Sequence, residues 1–246
     1  MLTRVVSREV LDDLPQDNPL AVQSRRDLQR VHAVMRTRSI LVQALKRMPG
    51  LRQINAPLRI LELGAGDGSL MLGVAQALKP QWARVHLTLL DAQALVTPNT
   101  VARYAKAGWT AVSCVQDVFE WANPPSRAIR NAKPAAHWDL IVANLFLHHF
   151  EEPRLTHLLR AIADRSNRFL ACEPRRAWLP LLGSHLIGAL GTNAVTREDA
   201  VLSVHAGFRN QDLTALWPDV GDKWVVQEYA AGLFSHCFCA HPLGAD

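Results

Sequence analysis

Glu62-Leu63-Gly64-Ala65-Gly66-Asp67-Gly68 sets glycines at alternate positions directly after the apolar run Leu58 to Leu63 and directly before a helical stretch that reaches about Lys79. Glycines at such a junction let a ligand approach the main chain and let the turn enter a helix. Two acids stand in comparable places. Asp91 closes the apolar run Val85 to Leu90, and Asp117 follows the run Trp109 to Val115. A carboxylate at the first place can accept hydrogen bonds from ribose hydroxyls, and one at the second can accept from an adenine amino group. Ligands of open α/β sheets bind outside the carboxyl ends of the strands, so polar groups on consecutive strand ends outline an adenosine-shaped cleft. The plainer readings are a simple turn for the glycines and strand-end caps for the two acids.

The elements that must position these groups alternate. Further apolar runs at Asp139 to Ala143 and Arg168 to Cys172 read as the fourth and fifth strands. Helical patterns lie between, clearest at Pro153 to Arg165, where Leu155, Leu158, Leu159 and Ile162 share a face. Strands alternating with helices indicate βαβ units and a parallel sheet covered on both sides. The alternation stops after the fifth strand. Residues 175–222 read as an insert with helices near 178–190 and 197–205, and Lys223 to Ala231 and Leu233 to His241 as an antiparallel hairpin through Gly232. The expected fold is α/β: a Rossmann-like, seven-stranded mixed sheet of five parallel strands plus the hairpin.

Residues 20–49 read as two amphipathic helices, the second ended by Pro49-Gly50. Residues 1–55 carry ten Lys/Arg and five Asp/Glu, which accounts for the whole net charge of +5. A basic segment can meet phosphates or acidic lipid. It also reads as the solvated face of helices, and it lacks the basic–aromatic interleaving that grips single strands. We expect an N-terminal helical lid over 1–55 and a binding domain over 56–246. Apolar residues at 49 % and charged residues at 20 % exclude disorder, collagen and coiled coil. Four cysteines in 246 residues do not make a disulfide framework, so reduced thiols and a cytoplasmic location are expected. No signal-type leader is visible, and Ala177 to Thr196 is too interrupted to span a membrane.

His148 and His149 follow the fourth strand, where an imidazole can take a proton from a hydroxyl near neutral pH. They equally suit hydrogen bonds to the loop and packing against a ligand. His32, His185, His205 and His236 are weaker candidates, and Asn144 can orient a ligand with its amide. Cys237, Cys239 and His241 share one strand face. Ligands there would stand about 6.6 Å apart along the strand, too far for a tetrahedral site without a turn, so no metal is expected. The insert's apolar run (Trp178, Leu179, Leu181, Leu182, Leu186, Ile187, Leu190) suits an apolar substrate and equally suits core packing.

The Glu62–Gly68 loop, Leu89-Leu90-Asp91, Val115-Gln116-Asp117-Val118 and Trp138 to Phe150 (WDLIVANLFLHHF), in that order, resemble the motifs of class I S-adenosylmethionine-dependent methyltransferases. The resemblance covers about residues 56–172, and the hairpin resembles that family's reversed last strands. Within the family the chain is similar to bacterial small-molecule methyltransferases of the ubiquinone-biosynthesis type. Ser24 to Met35 and Gly191 to Phe208 resemble relatives associated with polyketide and aromatic-lipid pathways. The resemblance implies S-adenosylmethionine as cofactor, held by Glu62, Gly64, Ala65, Gly66, Gly68, Asp91, Ala92, Asp117, Val118 and Asn144. It also implies a small aromatic or lipid-like acceptor methylated at oxygen, with His149, then His148, as candidate base, and the lid and insert closing over the site.

A nicotinamide or flavin enzyme is the rival, since the spacing from Gly68 to Asp91 suits a ribose acid there too. The Gly-x-Gly-x-Gly order, Glu62, Asp117 and the hairpin favour the methyltransferase. Methylation at ring carbon, methylation of RNA or protein, and a cofactor-binding member without turnover stay open. So does the choice between monomer and homodimer. Nucleic acid is not an expected partner.

Overall fold

The computed structural model describes residues 2–51, 57–79, 81–82, 84–123, 137–218 and 223–244. The expected domain boundary near residue 55 and the last residues of the expected insert, 219–222, lie outside them. Seven strands form one sheet: β1 Leu58–Leu63, β2 Val85–Asp91, β3 Trp109–Val115, β4 Leu140–Asn144, β5 Phe169–Pro174, β6 Trp224–Ala231 and β7 Ser235–Pro242. Their order is β3-β2-β1-β4-β5-β7-β6. The first five pair in parallel, and β7 runs against both β5 and β6. The chain reverses between β6 and β7 near Gly232, whose φ of 68° favours a residue without a Cβ.

Strands covered on both faces must be apolar almost throughout, and β1, β4 and β5 are. Successive side chains point to opposite faces. Ile60, Leu87 and Val142 therefore enter one apolar cluster, with α4 (Ser69–Leu78) and Tyr104 of α5 (Pro98–Lys106). Leu61, Leu90 and Ile141 enter the other, with α6 (Val118–Ala122) and α7 (Glu152–Arg165).

The N-terminal helices divide between core and site. The short α1 (Val10–Asp13) precedes α2 (Pro19–Met35), which starts with an Asn18 side-chain cap and a proline at its first position. α2 ends at Arg36, a left-handed residue with φ 58°, and α3 (Thr37–Arg47) begins at once. No glycine marks that break. Leu41, Ala44 and Leu45 of α3 are buried in the same cluster as β1 and α4, so α3 belongs to the body of the sheet domain. In the insert, α8 (Trp178–Leu186) runs into a 3-10 turn, Ile187–Leu190, and α9 (Ala194–Ala206) follows. Asn193 caps α9 by accepting from Thr196 N, and Asp27 of α2 accepts from Asn193 N at 2.8 Å, which ties α2 to the insert. Among the described residues, no helix is long and apolar enough to cross a membrane.

Candidate active site

All three glycines of the β1–α4 loop are left-handed, with φ of 67° at Gly64, 56° at Gly66 and 72° at Gly68. Their surroundings differ. A Cβ on Gly64 would lie 2.2 Å from the Phe146 ring, whereas a Cβ on Gly66 would meet nothing within 4 Å. The main chain at Gly66 thus faces open space. Asp91 fixes the loop from the next strand: Gly66 N donates to its Oδ2 at 2.8 Å, and Gln93 N to its Oδ1 at 2.9 Å. Ala65 is buried in the cluster with α4, and Ala92, beside Asp91, is exposed. Gln29 of α2 reaches over to donate to Asp67 Oδ2 at 2.9 Å.

Asp117 is exposed and caps α6 through one oxygen, Oδ1, which accepts from Phe119 N and Glu120 N. Val118 is buried and packs in the core behind it. Glu62 is buried, and its Oε2 has no partner among the described residues; neither has Oδ1 of buried Asn144 at the end of β4. Burial, with the nearby charges of Asp91 and Asp67, pushes the Glu62 carboxyl up to about 8. His32 of α2 is also without a partner at Nδ1, and burial lowers it to about 4 against the pull of Asp67. The structure therefore brings Glu62, the glycine loop and Asp91 together, through the Gly66–Asp91 hydrogen bond and the charges that act on Glu62, with open space before Gly66.

A second space, a cavity of about 270 Å³, opens beside the ends of β4 and β5. Its wall is mainly apolar: Leu145 and Pro174 from the strand ends, Leu28 and Met35 from α2, Ile187 and Leu190 from the insert. Leu145 holds a φ of 47°, an uncommon conformation for a branched side chain. Of the insert's apolar run, Leu186, Ile187 and Leu190 line this cavity, while Trp178, Leu179 and Leu182 are exposed outside it.

The two histidines differ sharply. His148 is buried between two carboxylates, with Nδ1 2.8 Å from Glu173 Oε2 and Nε2 3.3 Å from Glu9 Oε1. Burial alone would lower its pKa, but the hydrogen bonds and charges of Glu173 and Glu9 prevail and raise it to about 9, so the ring is cationic at neutral pH. His149 is half-buried, does not line the cavity, and has Nδ1 3.1 Å from Asp12. Ligand-type atoms of Glu9, His148 and His149 lie within 4.8 Å of one another; His148 Nε2 is paired with Glu9 itself and His149 Nδ1 with Asp12. Glu9 and Glu173 escape a reading of the sequence. Glu173 leaves a faint signal, a carboxylate at the end of an apolar strand; Glu9 leaves none, because its site is formed by residues 139 and 194 positions away.

A family model described as a methyltransferase domain matches residues 29–219. No curated protein matches the sequence closely enough to count as a relative. Among solved structures, the chain is similar to the plantazolicin methyltransferase BpumL in complex with SAH, at 13 % identity over 92 % of each chain, with a TM-score of 0.61. It is similar to an O-methyltransferase family protein from Burkholderia thailandensis, at 14 % identity over 93 % of this chain and 63 % of that one, TM-score 0.52. The CMeT domain of the citrinin polyketide synthase matches at 18 % identity over 82 % of this chain and 50 % of that one, TM-score 0.51. At these identities the likeness is one of fold.

Proposed function

The chain belongs to the methyltransferase-domain family, and from that premise we propose that it transfers the methyl group of S-adenosylmethionine to a hydroxyl oxygen of a small, apolar acceptor. The reading is supported by one juxtaposition: Asn144, whose buried oxygen has no partner among the described residues, ends β4 beside β1, and the next residue, Leu145, stands in the wall of the apolar cavity. The residues fit the cofactor. Gly66 leaves room in front of the main chain, and Glu62 and Asn144 offer buried oxygens to a donor-rich ligand. Gly64 to Gly68 would carry its main-chain contacts, Asp91 with Ala92 the ribose side, and Asp117 with Val118 the base side.

When bound, the sulfonium supplies an already activated methyl group. The chain's contribution is then alignment and exclusion of water. α2 and the insert, joined through Asp27 and Asn193, cover the acceptor cavity and would serve that purpose. The apolar wall selects an aromatic or aliphatic body.

Calorimetry should show binding of S-adenosylhomocysteine and none of NAD. Labelled S-adenosylmethionine incubated with the protein and a cell extract should place label in the small-molecule fraction. Label in RNA or protein alone would refute the acceptor class, and NAD binding would refute the cofactor.

A further inference from the structure

We propose that Glu9 is the group that receives the acceptor's hydroxyl proton during methyl transfer, with His148 and Glu173 as positioning residues behind it. The inference rests on the acceptor reading above.

Glu9 belongs to the extended segment before α1, yet it stands in the wall of the apolar cavity. It is held there by a line of side chains rooted in β5. Glu173 accepts from Phe146 N at 3.1 Å and Leu147 N at 3.0 Å, and His148 bridges Glu173 to Glu9. Ser203 of α9 donates to the same Glu9 oxygen as His148, Oε1. Among the described residues nothing bonds to Oε2, which is thus the oxygen left for a ligand. The other acid in the wall, Asp199, is occupied at both oxygens by Val10 N and Leu11 N, at 2.7 and 3.0 Å. No Lys or Arg is among the described lining residues. The cation bonded to Glu9, His148, lies behind it between two carboxylates and does not line the cavity, so the wall repels acidic ligands and favours one that brings a hydrogen-bond donor.

The charged groups around Glu9 are His148 and His149 on the turn after β4, Asp12 on α1, Asp199 on α9 and Glu173 on β5. Burial would raise the Glu9 carboxyl, but the hydrogen bond and charge of His148, with His149 and Ser203, hold it below the usual range, as an anion. Such a weak base is sufficient here. An oxygen lone pair forms the O–CH3 bond while the C–S pair leaves with sulfur, so the hydroxyl proton turns strongly acidic as the oxygen becomes positive. The O–H pair stays on oxygen and the proton ends on Glu9 Oε2. His148, already protonated, cannot take it.

The test uses the full chain with S-adenosylhomocysteine bound and two matched probes, 1-naphthol and 1-naphthoate, followed by fluorescence. Wild type should prefer the naphthol by about tenfold or more, and Glu9→Gln should bring the two within about threefold. Equal binding, preference for the naphthoate, or binding of neither by wild type would overturn the proposal, whatever the fate of the variant. Glu9→Gln should also lower methyl transfer into the small-molecule fraction of a cell extract by about 10²–10⁴, with S-adenosylhomocysteine affinity and hydrogen-exchange protection of the Val10 and Leu11 amides unchanged. Transfer within tenfold of wild type refutes the proton role. Loss of that protection alongside transfer makes Glu9 an anchor of the segment and refutes it equally. Failure of wild type to bind S-adenosylhomocysteine would instead overturn the methyltransferase reading itself.

Discussion

Alanine at Gly64 and at Gly66 should separate a structural glycine from one that leaves room for a ligand. Both residues are left-handed, so either substitution places a Cβ in a conformation that costs about 1–2 kcal/mol. At Gly66 nothing lies within 4 Å of that Cβ, and the total should stay at about 1–2 kcal/mol. At Gly64 the Cβ would lie 2.2 Å from Cδ2 of Phe146, whose ring packs edge-on against Phe150 at 5.1 Å, and displacing it adds about 1–3 kcal/mol. A chain of this size loses about 2–4 °C of Tm per kcal/mol. Gly64→Ala should therefore melt clearly below Gly66→Ala. Binding reverses the order of interest. S-adenosylhomocysteine at a hundred times its Kd stabilises wild type by about 2.7 kcal/mol, and Gly66→Ala should lose most of that shift because its methyl occupies the space before the loop. Paired thermal melts with and without ligand, checked by calorimetry, measure both effects. A Gly66→Ala protein that gains as much from the ligand as wild type refutes the placement of the cofactor against Gly66.

Asp91→Ala leaves Gly66 N and Gln93 N without their acceptor and should weaken S-adenosylhomocysteine binding by about 1–3 kcal/mol by calorimetry; unchanged affinity removes Asp91 from the site. For His148, the folded pKa of about 9 lies above the ordinary 6.5, so its stabilisation is complete below pH 6.5 and fades as pH rises through 9. The stability gap between wild type and His148→Gln in urea should shrink by something on the order of 3 kcal/mol between those limits, and a pH-independent gap refutes the cationic ring. Removing residues 2–14 should leave S-adenosylhomocysteine binding but abolish methyl transfer, whereas removal through residue 50 takes Leu41, Ala44 and Leu45 from the core and should prevent folding; transfer surviving the shorter deletion would refute a role for Glu9.

The strands were legible because their signal is local. Val85–Asp91 and Trp109–Val115 are found at the positions that their apolar runs predict, and β4 and β5 shift by one or two residues at ends where Asp139 and Pro174 give no sharp boundary. The placing of Asp91 beside the glycine loop was legible for the same reason, since both sit at the ends of neighbouring strands. The cavity side was not. Arg36 breaks the N-terminal helices with a left-handed turn that its side chain does not announce, and this leaves α3 in the core while α2 faces the cavity. The adjacent His148 and His149 look equivalent as letters; only the folded chain gives one Glu173 and Glu9 and the other Asp12.

The segment ahead of α1 is also a matter of timing. Leu2, Arg4, Val5, Glu9, Val10 and Leu11 bond to groups between residues 148 and 206. Glu9 leaves the ribosome early, and its Ser203 partner is made 194 residues later, a delay of roughly 10–40 s at about 5–20 residues per second. Within that interval the residues of β1 to β4 and of the glycine loop are all made, so the chain holds that part of the sheet in sequence before the wall around Glu9 can close. The first dozen residues thus wait, in the order of synthesis, for partners that the chain supplies only near its far end.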